Sequence, residues 1–94
     1  MLNIAGKWKL RGYGILYVVE HNPQVPANIT WWDANNKEQQ YGHGVINGET
    51  VIISWRGNIG NGSAESREVQ LDPITKKPIV IAWVNGTIWD SLDN

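Results

Sequence analysis

Few side chains in this chain can carry reactive chemistry, and their spacing narrows what that chemistry is. Histidine occurs twice, His21 in the segment HNPQVPAN and His43 in the alternating run QYGHGVI. Neither has neighbours at the spacing of a metal site, which needs three or four ligands converging on one point. There is no cysteine, so thiolate catalysis, a thiolate metal centre and a disulfide framework are excluded, and the compartment stays open. No nucleophile elbow, P-loop or dinucleotide fingerprint occurs. The stretch GNIGNG at 57–62 has the glycines of a phosphate cradle but no helix after it to present an N-terminus to an anion. Carboxylate pairs such as Asp33 with Glu38, or Glu65 with Glu68, have nothing beside them to drive their pKa values apart. The chain reads as non-catalytic, with no metal and no cofactor.

What remains is aromatic. The 94 residues hold six Trp, three Tyr and no Phe, an inversion of the usual small core of Leu, Ile, Val and Phe. Six indoles must either find partners for their N–H groups or leave some rings partly wet. The candidate binding residues are Trp32, Tyr41, His43, Arg56 and Trp89, because exposed rings flanked by hydrogen-bonding groups can stack on a sugar or grip a planar ligand. The same set would serve a protein interface, where Trp, Tyr and Arg are enriched, or a satisfied outer surface with no ligand. The residues leave these three readings open.

Composition bounds the rest. At 94 residues the chain is a single domain, 1–94, able to bury roughly 60 to 65% of its unfolded surface. A formal net charge of -1 with eight scattered Lys and Arg argues against nucleic acid, which asks for a basic face. No segment reaches the length of a signal-peptide core or of a membrane span, so the expectation is a soluble chain without membrane contact, its compartment unassigned. Sequons begin at Asn28, Asn61 and Asn85, and without a secretory signal they are expected to be unused.

The elements that must position the candidates are strands. No helical period is sustained; short alternating runs are broken by Gly, Asn, Asp and Pro. The pattern predicts strands at 4–10, 13–20, 28–33, 40–46, 50–56, 66–71, 78–84 and 87–92. Asn47-Gly48 and Asn85-Gly86 each read as a two-residue type I′ hairpin. Turns are expected at 11–14, 33–38 and 72–78, and longer loops over HNPQVPAN and RGNIGNGSAES.

Two-residue hairpins sort the side chains into faces. Around Asn47-Gly48, Ile46, Val51, Ile53 and Trp55 fall inside with Gly42 and Gly44, and glycines set against bulky partners let a sheet coil. Tyr41, His43, Val45, Thr50, Ile52, Ser54 and Arg56 fall outside. Around Asn85-Gly86, Ile79, Ile81, Trp83 and Ile88 share one face, and Val80, Ala82, Val84, Thr87 and Trp89 the other. Trp83 among isoleucines is core, and Trp89 is the exposed ring. At NITWWD, Trp31 points in and Trp32 out.

The opening IAGKWKL, with Gly6 and Trp8, resembles the G-x-W motif that begins the first strand of calycins, the lipocalin, fatty-acid-binding and avidin-like barrels. The resemblance covers this motif and the glycine-punctuated meander after it. It implies a barrel in which Trp8 closes one end and a small ligand enters at the other. No second lipocalin motif and no avidin-type set of ligand tryptophans is present, and the chain is short for a calycin. The reading is an all-β antiparallel up-and-down meander of about seven or eight short strands, forming a small closed or nearly closed barrel. Its expected function is non-catalytic binding of a small molecule or saccharide, or alternatively protein–protein interaction or homo-oligomerisation through the same aromatic face.

Overall fold

The computed structural model describes residues 1–56 and 60–93. Eight strands follow one another: β1 (Gly6–Leu10), β2 (Ile15–His21), β3 (Asn28–Asp33), β4 (Asn36–Asn47), β5 (Thr50–Trp55), β6 (Gly62–Leu71), β7 (Pro78–Trp83) and β8 (Ile88–Ser91). Each pairs antiparallel with the next, and β8 returns to β1 with Lys9 opposite Asp90 and Leu10 opposite Trp89. The meander therefore closes into a barrel and leaves no strand edge unpaired. A charged clamp spans the seam on its outer side: Arg11 donates through Nε and Nη2 to the two carboxylate oxygens of Asp90, at 2.8 and 2.5 Å. These hydrogen bonds hold the Asp90 carboxyl below the usual carboxylate range.

The expected strands are all present, with altered limits. β4 is longer, because the turn after β3 tightens to Ala34 and Asn35, with the Asn35 amide donating to Asp33 Oδ1 at 2.8 Å. β6 begins earlier, at Gly62. Of the expected glycine-rich loop, 57–59 lies outside the described residues.

Alternation fills the interior: Trp8, Tyr17, Val19, Ile29, Trp31, Ile46, Val51, Ile53, Ile81 and Trp83 are buried. The buried Ser66 joins them, and its hydroxyl is satisfied, since Oγ accepts from the Val51 amide at 2.8 Å. Residues 1–5 are not in a strand; they bring Ile4, with no exposed surface, into the core, and the Trp8 indole donates to the Ile4 carbonyl at 2.9 Å. Trp8 is thus a buried residue tied to this segment.

Both Asn-Gly hairpins depart from the expected turn, with opposite consequences. At the first, Asn47 pairs with Thr50, so the loop is Gly48 and Glu49, and Gly48 takes φ 62° at the leading position, as in a type II′ turn. Two residues remain in the loop, and the inward set survives. At the second, the Trp83 amide donates to the Thr87 carbonyl at 2.9 Å, leaving Val84, Asn85 and Gly86 in a three-residue loop with Gly86 at φ 91°. The odd residue reverses β8, because a one-residue slip in register carries every side chain to the other face. Ile81 now stands opposite Trp89, and Trp89 is 3% exposed. The expectation of an exposed Trp89 is wrong for this reason.

Tyr41 is corrected by a second irregularity. Trp31 pairs with Gly42 but Trp32 pairs with Gln40, so Tyr41 is the extra residue of a β-bulge. The bulge re-aims its side chain into the core, where it is buried. At Gly42, opposite Trp55, an added Cβ would overlap the Ser54 carbonyl oxygen. Gly42→Ala must push β4 from β5 and is expected to cost about 3 kcal/mol, at the upper end of ordinary overpacking, read as a lower urea midpoint with unchanged m-value.

Candidate functional site

The aromatic side chains that face inward form one cluster with Trp89 at its centre. Its ring centroid lies 4.8 Å from Tyr17, 4.9 Å from Trp83, 5.6 Å from Trp31 and 6.4 Å from Trp8. Trp31 in turn meets Tyr17 edge-on at 5.2 Å, Tyr41 at 5.2 Å and Trp55 edge-on at 6.2 Å. Tilted and edge-to-face pairs at these distances set the positive rim of one ring against the negative face of another. Two of the indole N–H groups are spent on carbonyls, Trp31 on Ser54 at 3.0 Å and Trp8 on Ile4 at 2.9 Å. Trp83 Nε1 is buried and has no acceptor among the described residues.

This cluster reaches the surface at the end of the barrel that carries the 11–14, 34–35 and 84–87 connections. A cleft of about 160 Å³ opens there, walled by Leu10, Tyr17, Trp31, Trp55, Trp83 and Trp89 and bordered by Asn85 and Thr87. None of the described residues lining it is charged. Trp55, half-buried on the last position of β5, lies between two glycines, Gly42 on β4 and Gly62 on β6. A Cβ on Gly62 would stand 2.6 Å from its ring; the missing side chain is what lets this indole lie flat across the neighbouring strand at the rim. A cleft of this size accepts about one six-membered ring and is well below the roughly 300 Å³ that a larger ligand fills.

A larger concavity of about 740 Å³ lies at the opposite end, between residues 1–5 and the 72–77 turn, with Glu49, Lys76, Lys77 and Asp93 around it. Its one aromatic, Trp8, already has its N–H bonded. Stacking chemistry is therefore concentrated at the smaller cleft.

The five candidate residues do not form one site. Trp32 and His43 lie on the outer wall, His43 paired with Thr30 and Ser54, and Trp32 donating to Thr30 Oγ1 at 3.1 Å. Gln40 Nε2 lies 3.4 Å from His43 Nε2 beside them. Tyr41 and Trp89 are inside the barrel. Arg56 is exposed just beyond β5, tied by its main-chain amide to the Tyr41 carbonyl at 3.1 Å. Residues absent from the candidate set, Tyr17, Trp31, Trp55 and Trp83, supply most of the cleft. Tyr17 had a legible signal in its alternation with Val19, and Trp55 in its place at the end of an inward-facing run.

Among the described residues no group of three or more His, Cys, Asp and Glu could hold a metal ion, and no helix is long and apolar enough to cross a membrane. No protein-family model, curated protein or solved structure matches the chain.

Burial sets the ionisation of the two inward tyrosines. It pushes the Tyr17 phenol from 10.0 to about 12, with the neighbouring Tyr41 and Asp33 adding to the shift. Burial also raises Tyr41, helped by the Asp33 charge and by the 3.2 Å hydrogen bond from its hydroxyl to Asp33 Oδ2. Both phenols are neutral at ordinary pH. Both folded-state values lie above the unfolded one, so the stability each contributes is complete below pH 10; for Tyr17 it is lost as pH rises towards about 12. Alkaline unfolding should begin in that window and coincide with tyrosinate absorbance, and Tyr17→Phe should shift its onset to higher pH.

Proposed function

We propose that the protein is a non-catalytic binding domain that takes one small, uncharged ring, an aromatic or the apolar face of a single sugar residue, into the cleft walled by Trp31, Trp55, Trp83 and Trp89. The observation that carries this reading is the convergence of these indoles on an opening where none of the described lining residues is charged. An uncharged ring loses little on desolvation there and gains stacking on several sides, whereas a charged ligand would be left unpaired. The geometry also agrees with what the calycin resemblance implies, a barrel closed at the Trp8 end and entered from the other.

A second reading has its own observation. Val45 and Ile52, 48% and 41% exposed, stand directly opposite each other on the outer wall of β4 and β5, and a paired apolar patch of this kind suits a protein partner or a second copy.

Titration with neutral single-ring compounds and monosaccharides, followed by tryptophan fluorescence, separates the two. Under the first reading Trp55→Ala weakens binding about tenfold, the loss of one good aromatic contact, while Trp32→Ala leaves it unchanged. Loss of binding on Trp32→Ala alone would move the site to the outer wall. Absence of any binder, together with a dimer in light scattering that Ile52→Lys dissociates, would favour the second reading.

A further inference from the structure

We propose that residues 1–5 are a proton-sensitive strap over the end of the barrel opposite the aromatic cleft, and that His21 is its latch. His21 is the last residue of β2, and its ring lies between two backbone groups from different segments. Nδ1 is 2.6 Å from the Pro26 carbonyl oxygen, and the Ile4 amide lies 3.2 Å from Nε2. The chemistry of these partners assigns the ring. A carbonyl oxygen only accepts, so Nδ1 carries the hydrogen; an amide N–H only donates, so Nε2 is bare. Both bonds exist together in one state alone, the neutral imidazole with its proton on Nδ1. A second proton, on Nε2, sets two N–H groups against each other and removes the acceptor of the Ile4 amide.

What the latch holds is the closure of this end. Ile4 has no exposed surface, its carbonyl accepts the Trp8 indole N–H, and Met1, Leu2, Asn3 and Ala5 form one wall of the larger concavity. The strap is not part of any strand ladder, and its side chains are uncharged. It can therefore leave without unpairing the barrel.

Among the described residues no carboxylate lies within ion-pair distance of the His21 ring. The 22–27 loop has no charged residue, and Asp33, the one charge on β3, lies at the far end from Ile29, the residue paired with His21. On β1 the charges are Lys7 and Lys9, and beside the strap Glu49 and Asp93 line the larger concavity, with Asp93 Oδ2 accepting from the Lys7 amide. Glu20, on β2 itself, precedes His21 and is partnered by Lys37 at 3.6 Å.

The sign follows from proton counting. The latched state excludes the second imidazole proton and the released state accepts it, so acid favours release. Histidine is the side chain that titrates between about pH 5 and 8, and one coupled proton changes the released-to-latched ratio at most about tenfold per pH unit.

The test is nuclear magnetic resonance on the intact chain at pH 7.5 and pH 5. Expected at pH 7.5 are the Nδ1-H tautomer of His21 and ordered backbone signals for Asn3, Ile4 and Ala5. At pH 5 those three residues become mobile while the strand amides hold their shifts. His21→Ala frees the strap at both pH values, and His21→Gln, whose amide can donate to Pro26 and accept from Ile4 without titrating, keeps it ordered at both. An Nε2-H tautomer at pH 7.5 overturns the proposal. So does a strap that stays ordered around a protonated His21, or one that is lost only together with the strands.

Discussion

The interior of this barrel has to be filled by side chains of a 94-residue chain that contains no phenylalanine, and the burial of Trp89 is what makes that possible. A small closed barrel has no lumen to spare; its walls meet across their own side chains. Trp89 touches Trp8, Tyr17, Trp31 and Trp83 and so joins rings from strands on different sides of the barrel. Its burial removes roughly 200 Å² of apolar surface from water, an upper estimate of about 5 kcal/mol at 25 cal/mol/Å². Trp8, buried to the same degree on β1, contributes on the same scale from the other side of the seam. The exposed Arg11–Asp90 clamp across the same seam belongs to a class of interaction that contributes little in water, and its role is to align β1 with β8.

Filling a core with indoles imposes conditions on the backbone around it. Rings this large need room where the strands approach, and Gly42 and Gly62 on either side of Trp55 provide it. They also carry a polar edge, and two of the buried N–H groups are matched by main-chain carbonyls. The β-bulge at Tyr41 belongs to the same solution: it adds a ring to the cluster and aims the phenol at Asp33.

The two ends of the barrel then differ in kind. One is covered by a non-strand segment that plugs the core with Ile4 and ties off the Trp8 indole. At the other the aromatic cluster runs to the surface and ends in a small cleft. A ring-shaped ligand entering there would continue the stack already present among the protein's own rings. The outer wall is a different surface, with Trp32 and His43 among small polar groups and Val45 paired with Ile52 nearby.

The amino-acid sequence by itself determined the class of fold and most of the inward set. Period-two alternation, glycine and proline punctuation and the absence of any helical period leave a β-meander as the arrangement that buries Trp8, Trp31, Val51, Ile53, Ile81 and Trp83 together. These properties are local, each read within a few residues. Only the tertiary structure decided where Tyr41 and Trp89 point, and with them the aromatic cleft. Asn85-Gly86 is compatible with a loop of two residues or of three, and nothing in the dipeptide chooses. The choice falls to the long-range gain of turning an indole into the core, which outweighs any difference between the two turns. Likewise the bulge at Tyr41 adjusts β3 to β4 around rings supplied by other strands. Both outcomes hinge on a single residue of register, and register is set by what the opposite wall of the barrel needs to bury.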